Sequence, residues 1–333
     1  MSSCFVVTLN CAKRAQDSEN IRNYILQKML TSQLPEIIVF CLQEIAPISS
    51  SMFNYLLPYV TPFIEAVPSE YTCIAENNVG GTGLIVFSKT VAHHEIDITK
   101  KNLAFGKGWS SLKGASLITL GFSDHEFLTF ISTHFAAGEG QKYLKERNNN
   151  LRYLFTAFEL ASVPGPIILA GDLNYRTTNG ELSTNELTTE IHNFANGEVF
   201  WEPKIQFPAT YKYFPSSIDN NLNPKRTPSW CDRILLTDKD AILEVFNYDS
   251  VQRYTDSDHK PVYLHFRIQP NNDKLNHTLN PEILENTTVR VKGIKPTLLA
   301  DFFIGSSLFV TTTKPGWLLV TLVLLFFVCK YFL

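Results

Sequence analysis

The chain has 333 residues, with 29 Lys and Arg against 32 Asp and Glu and a net charge of −3. That balance excludes the strongly basic surface of a protein that coats nucleic acid, and no nucleic-acid partner is expected. With 44% hydrophobic and 18% charged residues, the chain can bury a large core and is neither disordered nor fibrous.

Taken in order, seven strand-length runs rich in Val, Ile and Phe stand out: FVVTLN (5–10), IIVFCLQE (37–44), GLIVFS (83–88), FLTFIST (127–133), PIILAGD (166–172), CDRILL (231–236) and PVYLHFRI (261–268). Ile21, Tyr24, Ile25 and Met29 fall at helical spacing between the first two runs, and Leu151, Leu154, Phe155 and Phe158 do so before the fifth. Many strands with few long helices predict an α/β (α+β) fold, a four-layer α/β sandwich of two packed, mostly antiparallel sheets flanked by helices. One large domain is expected over residues 1–268.

Six cysteines, at 4, 11, 41, 73, 231 and 329, form no CxxC pair, which disfavours a zinc ribbon or a disulfide framework and fits a reducing compartment. The N-terminus has no basic n-region and only Phe5, Val6 and Val7 as an apolar run, too little for a secretory signal. Residues 269–314 are expected to be a linker, since Gln269 to Thr297 is rich in Asn, Pro, Thr and Lys. Within it, TLLADFFIGSSLFV (297–310) is apolar and fits either the membrane interface or packing on the domain. Residues 315–333 are expected to be a tail anchor. Trp317 to Cys329 carries no charge, and Trp317 to Leu333 makes about 25 Å of helix, enough for a thin membrane of roughly 27 Å such as the endoplasmic reticulum.

Several apolar runs end abruptly in polar residues: Asn10, Gln43 with Glu44, His134, and Asp172 with Asn174. A strand that buries its body has no use for a carboxylate at its end unless the group reaches solvent or a partner. Two sheets packed face to face bring these ends to one rim, a carboxylate-rich cleft suited to a hard divalent ion. A second cluster, Asp232 at the start of one run and Asp258-His259 just before the last, allows Asp232 to hold one imidazole nitrogen and make His259 a donor to an anionic oxygen.

Together, QE at 43–44, GDLNYR at 171–176, PATYKY at 208–213, PSWCDRIL at 228–235 and SDHKPV at 257–262 resemble the inositol polyphosphate 5-phosphatases, a branch of the endonuclease/exonuclease/phosphatase superfamily. The resemblance spans residues 5 to about 268, and the order and spacing of the motifs fit as well. A catalytic domain followed by a hydrophobic tail is similar to fungal members anchored at the endoplasmic reticulum, with the domain in the cytosol.

The resemblance implies Mg²⁺ as cofactor, with Glu44 its principal ligand, Asn10 alongside and Asp258 an outer ligand. Asp172 would orient and deprotonate the attacking water, and Asn174 would bind that water or the phosphoryl oxygens. His259, held by Asp232, would donate to the scissile phosphate, with His134 a further donor. Tyr175, Arg176 and Lys113 would contact substrate, and Tyr211 with Lys212 would read a 4-phosphate. The implied reaction converts phosphatidylinositol 4,5-bisphosphate to phosphatidylinositol 4-phosphate at a membrane, the protein acting as a monomer. The chain departs from the family at Leu112, where Asn is usual, and at Gly138, where a second His is usual. Two competing readings use the same residues: a Mg²⁺-dependent nuclease of the superfamily, and a tail-anchored tether that binds phosphoinositides without catalysis.

Overall fold

In the computed structural model, which describes residues 2–31, 34–52, 54–89, 96–122, 125–188, 200–217, 219–273, 298–312, 314 and 316–322, eleven strands form two sheets. The first runs β10 (Ile242–Ser250), β11 (Val262–Ile268), β1 (Ser2–Asn10), β2 (Ile37–Gln43), β4 (Thr82–Lys89), β3 (Tyr71–Val79). The second runs β5 (Asp97–Ala104), β6 (Gly114–Gly121), β7 (Phe127–His134), β8 (Ile167–Asp172), β9 (Asp232–Leu236). Each sheet holds one parallel pair, β1–β2 and β7–β8, and is otherwise antiparallel.

A parallel pair requires a crossover, and the two helical patterns supply them. Ser18 to Thr31 is a helical run, π-type over Ile21–Ile25 and 3-10 over Leu26–Thr31, that buries Ile21, Ile25 and Met29 and leaves Tyr24 exposed. The helix Gln141–Ala157 buries Leu151, Leu154 and Phe155, with Phe158 buried just beyond it.

Side-chain alternation then sorts the core into layers. Cys4 and Val6 of β1, Val39 and Cys41 of β2, Phe130 of β7, Ile168 and Ala170 of β8 and Ile234 of β9 meet between the sheets. Phe5, Val7 and Leu9 face the helices on one outside, and Ile167 and Leu169 face the helix Gln141–Ala157 on the other. The four-layer sandwich expected from the sequence is therefore what forms.

Four strands fall outside the seven apolar runs: β3, β5, β6 and β10. Three of them are sheet edges, where exposed residues such as Lys100, Lys101 and Glu244 interrupt the alternation. Charged edges protect a sheet from pairing with another chain, and the same charges hide the strand from an apolar pattern.

Beyond β11 the domain continues further than expected, because Phe127 N donates to Asn271 O at 2.8 Å and Gly165 N to Asp273 O at 2.9 Å. Within the expected linker, Leu298–Thr312 is a helix seated on the domain. Residues 316–322 of the expected anchor are helical, and 323–333 lie outside the described residues. Among the described residues, no helix is long and apolar enough to cross a membrane.

Candidate active site

Asn10, His134 and Asp172 are each the last residue of a strand, and each continues the row that faces the opposing sheet. Register aligns them further: His134 lies beside Asp172 across the parallel β7–β8 pair, and Asp172 lies opposite Asp232 across β8–β9. The strands approach closely enough because residue 171 is glycine; a Cβ there would sit 1.9 Å from Thr133 O. Polar groups far apart in sequence thus meet at one rim, where Asn10 Nδ2 donates to Asp172 Oδ2, 162 residues away, at 2.9 Å.

Asp172 is the hub. Its Oδ2 lies 3.3 Å from His134 Nε2 and 4.0 Å from His259 Nε2, and its Oδ1 accepts from Asn174 N at 3.0 Å. Burial penalises the ionised form, but His259, then His134 and Lys113, hold this carboxyl far below the ordinary range. The other imidazole nitrogen of His259, Nδ1, is 2.9 Å from Asp232 Oδ2, which also accepts from Thr210 Oγ1 at 2.7 Å. Burial would lower the His259 pKa, yet Asp232 and Asp172 raise it to about 9. The ligand atoms of Asp172, Asp232 and His259 lie within 4.8 Å of one another. One imidazolium between two carboxylates already satisfies that cluster internally, so it leaves little demand for an added cation.

Glu44 stands apart. Gln43 is fully buried between the sheets, where its amide donates to Cys41 O and Ser132 Oγ. Glu44 has a left-handed φ of 45°, unusual for a residue with a Cβ, and that kink swings its carboxylate into the cleft. Its side chain is 27% exposed and lies 3.1 Å from Lys13 Nζ. Burial raises its pKa, but His134, Lys113 and Lys13 outweigh it and keep the acid ionised. An ionised oxygen ligand open to a cleft, already drawing an ammonium to itself, fits a hard cation that keeps most of its coordination for water and phosphate, as Mg²⁺ does.

The cleft, about 310 Å³, is lined further by Lys13, Arg176, Tyr211, Lys212 and Asp258. Lys212 Nζ donates to Asp258 Oδ2 at 2.6 Å, while the Tyr211 ring lies between the Arg176 guanidinium at 4.3 Å and the His259 ring at 4.6 Å. Asn174, with φ 57°, bonds Arg176 through its Oδ1 and Phe135 O through its Nδ2. Lys113 contacts His134 Nε2, and burial lowers its pKa to about 8. Arg147, fully buried, fixes the surrounding loops by donating to Glu186 at 2.6 Å and to Gly138 O at 2.9 Å.

One expected contact fails. Tyr175 is fully buried in the layer beneath the second sheet, its hydroxyl donating to Asn148 at 2.9 Å, and it does not line the cleft. Past β8, Asp172, Asn174 and Arg176 turn toward the cleft while Leu173 and Tyr175 turn into the core, so adjacency to Arg176 puts Tyr175 on the wrong face. Conversely, Lys13 lines the cleft and Thr210 holds Asp232, and neither is anticipated from the sequence. Thr210 sits inside the PATYKY motif and Lys13 three residues past Asn10, so both lay beside signals already in view.

The sequence signature described as endonuclease/exonuclease/phosphatase family 2 matches residues 7–265. The chain is 26% identical over 88% of its length to the phosphatidylinositol 4,5-bisphosphate 5-phosphatase INP51 of Saccharomyces cerevisiae, and spans about a third (34%) of that protein. Its fold is similar to that of the inositol polyphosphate 5-phosphatase domain of SPsynaptojanin, solved with inositol (1,4)-bisphosphate and calcium ion: TM-score 0.66 and 23% identity over 80% of this chain and 83% of that one. It is also similar to the ferrous NO complex of Cimex nitrophorin, with TM-score 0.64 and 18% identity over 80% of this chain and 98% of that one. The fold alone therefore does not fix the chemistry, which rests on the residues at the rim.

Proposed function

Since the chain belongs to the endonuclease/exonuclease/phosphatase family, we propose that it is a Mg²⁺-dependent phosphatase removing the 5-phosphate of phosphatidylinositol 4,5-bisphosphate to leave phosphatidylinositol 4-phosphate at a membrane surface. The observation that carries this reading is the ring of cations about two ionised acids: Lys13, Lys113, Arg176 and Lys212 surround Glu44 and Asp172. Such a ring fits a ligand bearing more than one phosphate, and Lys212, on the motif expected to read a 4-phosphate, stands at its edge.

In this reading His259, protonated and aimed by Asp232, donates to a non-bridging phosphoryl oxygen, and Arg176 and Lys113 stabilise the others as charge spreads in a loose transition state. Asp172 is ionised when the attacking water arrives and accepts a hydrogen bond from it. Before phosphate binds, its low pKa makes it a weak base. A bound phosphate neutralises part of the field from His259, Lys113 and Arg176, which raises its proton affinity when the proton must be taken. Glu44, with Asn10 and Asp258 near, would hold Mg²⁺, which supplies Lewis-acid stabilisation of the phosphate and its leaving oxygen.

Residues 315–333 serve as the anchor in an endoplasmic reticulum membrane, with the domain on the cytosolic side and the chain monomeric. Anchoring raises the effective concentration of lipid headgroups at the cleft without any new contact. The decisive experiment incubates the purified full chain and Mg²⁺ with phosphatidylinositol 4,5-bisphosphate vesicles, and separately with plasmid DNA. Release of one phosphate per lipid with phosphatidylinositol 4-phosphate as product is expected; nicked DNA with untouched lipid would make the protein a nuclease, and binding without turnover a tether.

A further inference from the structure

The helix Leu298–Thr312 has one charged residue, Asp301, and that charge points inward: Ser111 N donates to Asp301 Oδ1 at 2.7 Å. With Gly305, which is buried, Asp301 lines a cavity of about 330 Å³ that is also lined by Glu44, Lys113 and His134. That cavity and the catalytic cleft share Lys13, Glu44 and His134. The helix therefore lies as a strap along the mouth of the site, between the 48–52 segment and the turn at Lys107–Trp109.

Its outer face is the reverse of what water favours. Phe302 is 55% exposed and Phe303 65%, and the neighbouring outward positions are Ser307 and Thr311, with no charge among them. A helix on a protein surface ordinarily turns charged residues outward and apolar ones in; here the polar contact faces the protein and the aromatic side faces out. Past the exposed Lys314 the apolar surface resumes with exposed Trp317, Leu318, Leu319 and Leu322. Exposed apolar surface of this extent marks a binding face, and the uncharged continuation to Cys329 identifies its partner as lipid.

We propose that this strap lies in the membrane–water interface by Phe302 and Phe303, pinned to the catalytic domain through Asp301 so that the cleft opens onto the same bilayer that its own chain enters. The enzyme then acts on lipids of its own membrane rather than an apposed one. This rests on the lipid-phosphatase reading for its substrate, but the orientation of the strap can be measured without turnover.

For that measurement, full-length Phe303→Cys is made with Cys73 and Cys329 replaced by Ser, labelled with an environment-sensitive fluorophore, and mixed with vesicles of phosphatidylcholine and phosphatidylinositol 4,5-bisphosphate carrying bromine near the glycerol end of the acyl chains. Quenching by the bromines and protection from aqueous iodide are expected. A label that iodide still reaches, or one shielded without vesicles because a second copy covers it, would overturn the proposal whether or not lipid is hydrolysed. The second arm compares Phe302→Asp/Phe303→Asp with the parent chain. Hydrolysis of lipid in the protein's own vesicles should fall about tenfold or more, while hydrolysis of a water-soluble inositol trisphosphate stays within about twofold. Equal loss on both substrates would make the strap merely structural, and faster hydrolysis of lipid in separate vesicles would reverse the orientation. Absence of turnover on either substrate in the parent chain would sink the phosphatase reading and leave the quenching result to decide the orientation.

Discussion

On one side of the cleft, where Asp172 ends β8 and His259 precedes β11, Asp172 is 1% exposed and His259 4%, and both are bonded to neighbours that are themselves buried. Across from them, at the end of β2, Glu44 leaves 27% of its side chain open and is paired with a half-exposed Lys13. The buried side suits a fixed arrangement of charge, in which reorganisation would cost most; the open side suits an ion that must arrive, exchange water and take phosphate. A single rim thus holds a rigid half and an exchangeable half, and each half should fail differently.

Replacing Asp172 by Ala strikes the rigid half hardest. We expect kcat to fall about 10²-fold or more, with no recovery at high Mg²⁺, measured by phosphate release from short-chain substrate. Glu44→Gln should instead weaken apparent Mg²⁺ affinity by about tenfold to a hundredfold and regain part of its rate as Mg²⁺ is raised. If both variants responded to Mg²⁺ alike, the division between the halves would be lost.

The pH profile sharpens the same contrast. With its pKa raised to about 9, His259 is an imidazolium below that pH and loses its proton above it, so activity should decline on the alkaline side near 9. Asp232 is the leading charge that holds the proton there, so Asp232→Asn should move this limb to lower pH; a limb that stays in place would assign it to another group. The smallest effect is expected at Tyr175. Tyr175→Phe removes one buried hydrogen bond to Asn148, costing about 1 kcal/mol in denaturant unfolding while leaving kcat and KM unchanged. A large kinetic defect would return Tyr175 to the site.

What the sequence made legible follows from how the strands are built. β1, β2, β7 and β8 read clearly because buried strands need long apolar runs, and Asn10, Glu44, His134 and Asp172 read clearly because each breaks such a run. β5 and β10 were hidden because six of eight residues in β5, and Glu244 with its neighbours in β10, face solvent at a sheet edge. Tyr175 was misplaced because a motif written along the chain does not show which way each residue points once the strand ends. Arg147 could not have been found from its surroundings, since a charge in the middle of a helix looks solvated until Glu186 and the 136–138 loop are folded over it.

The register that sets Asp172 directly opposite Asp232 has a consequence for how this site could ever be dismantled. Two acids facing each other on neighbouring strands repel, and the imidazole of His259, which reaches both, is the leading charge that makes the pair tolerable inside the fold. Losing that imidazole alone should destabilise the protein more than losing it together with Asp232, an ordering that thermal unfolding of His259→Ala and of the Asp232→Asn/His259→Ala double variant would reveal. A lineage drifting toward a silent descendant would then shed an acid before its base, leaving the histidine as the last trace of the chemistry.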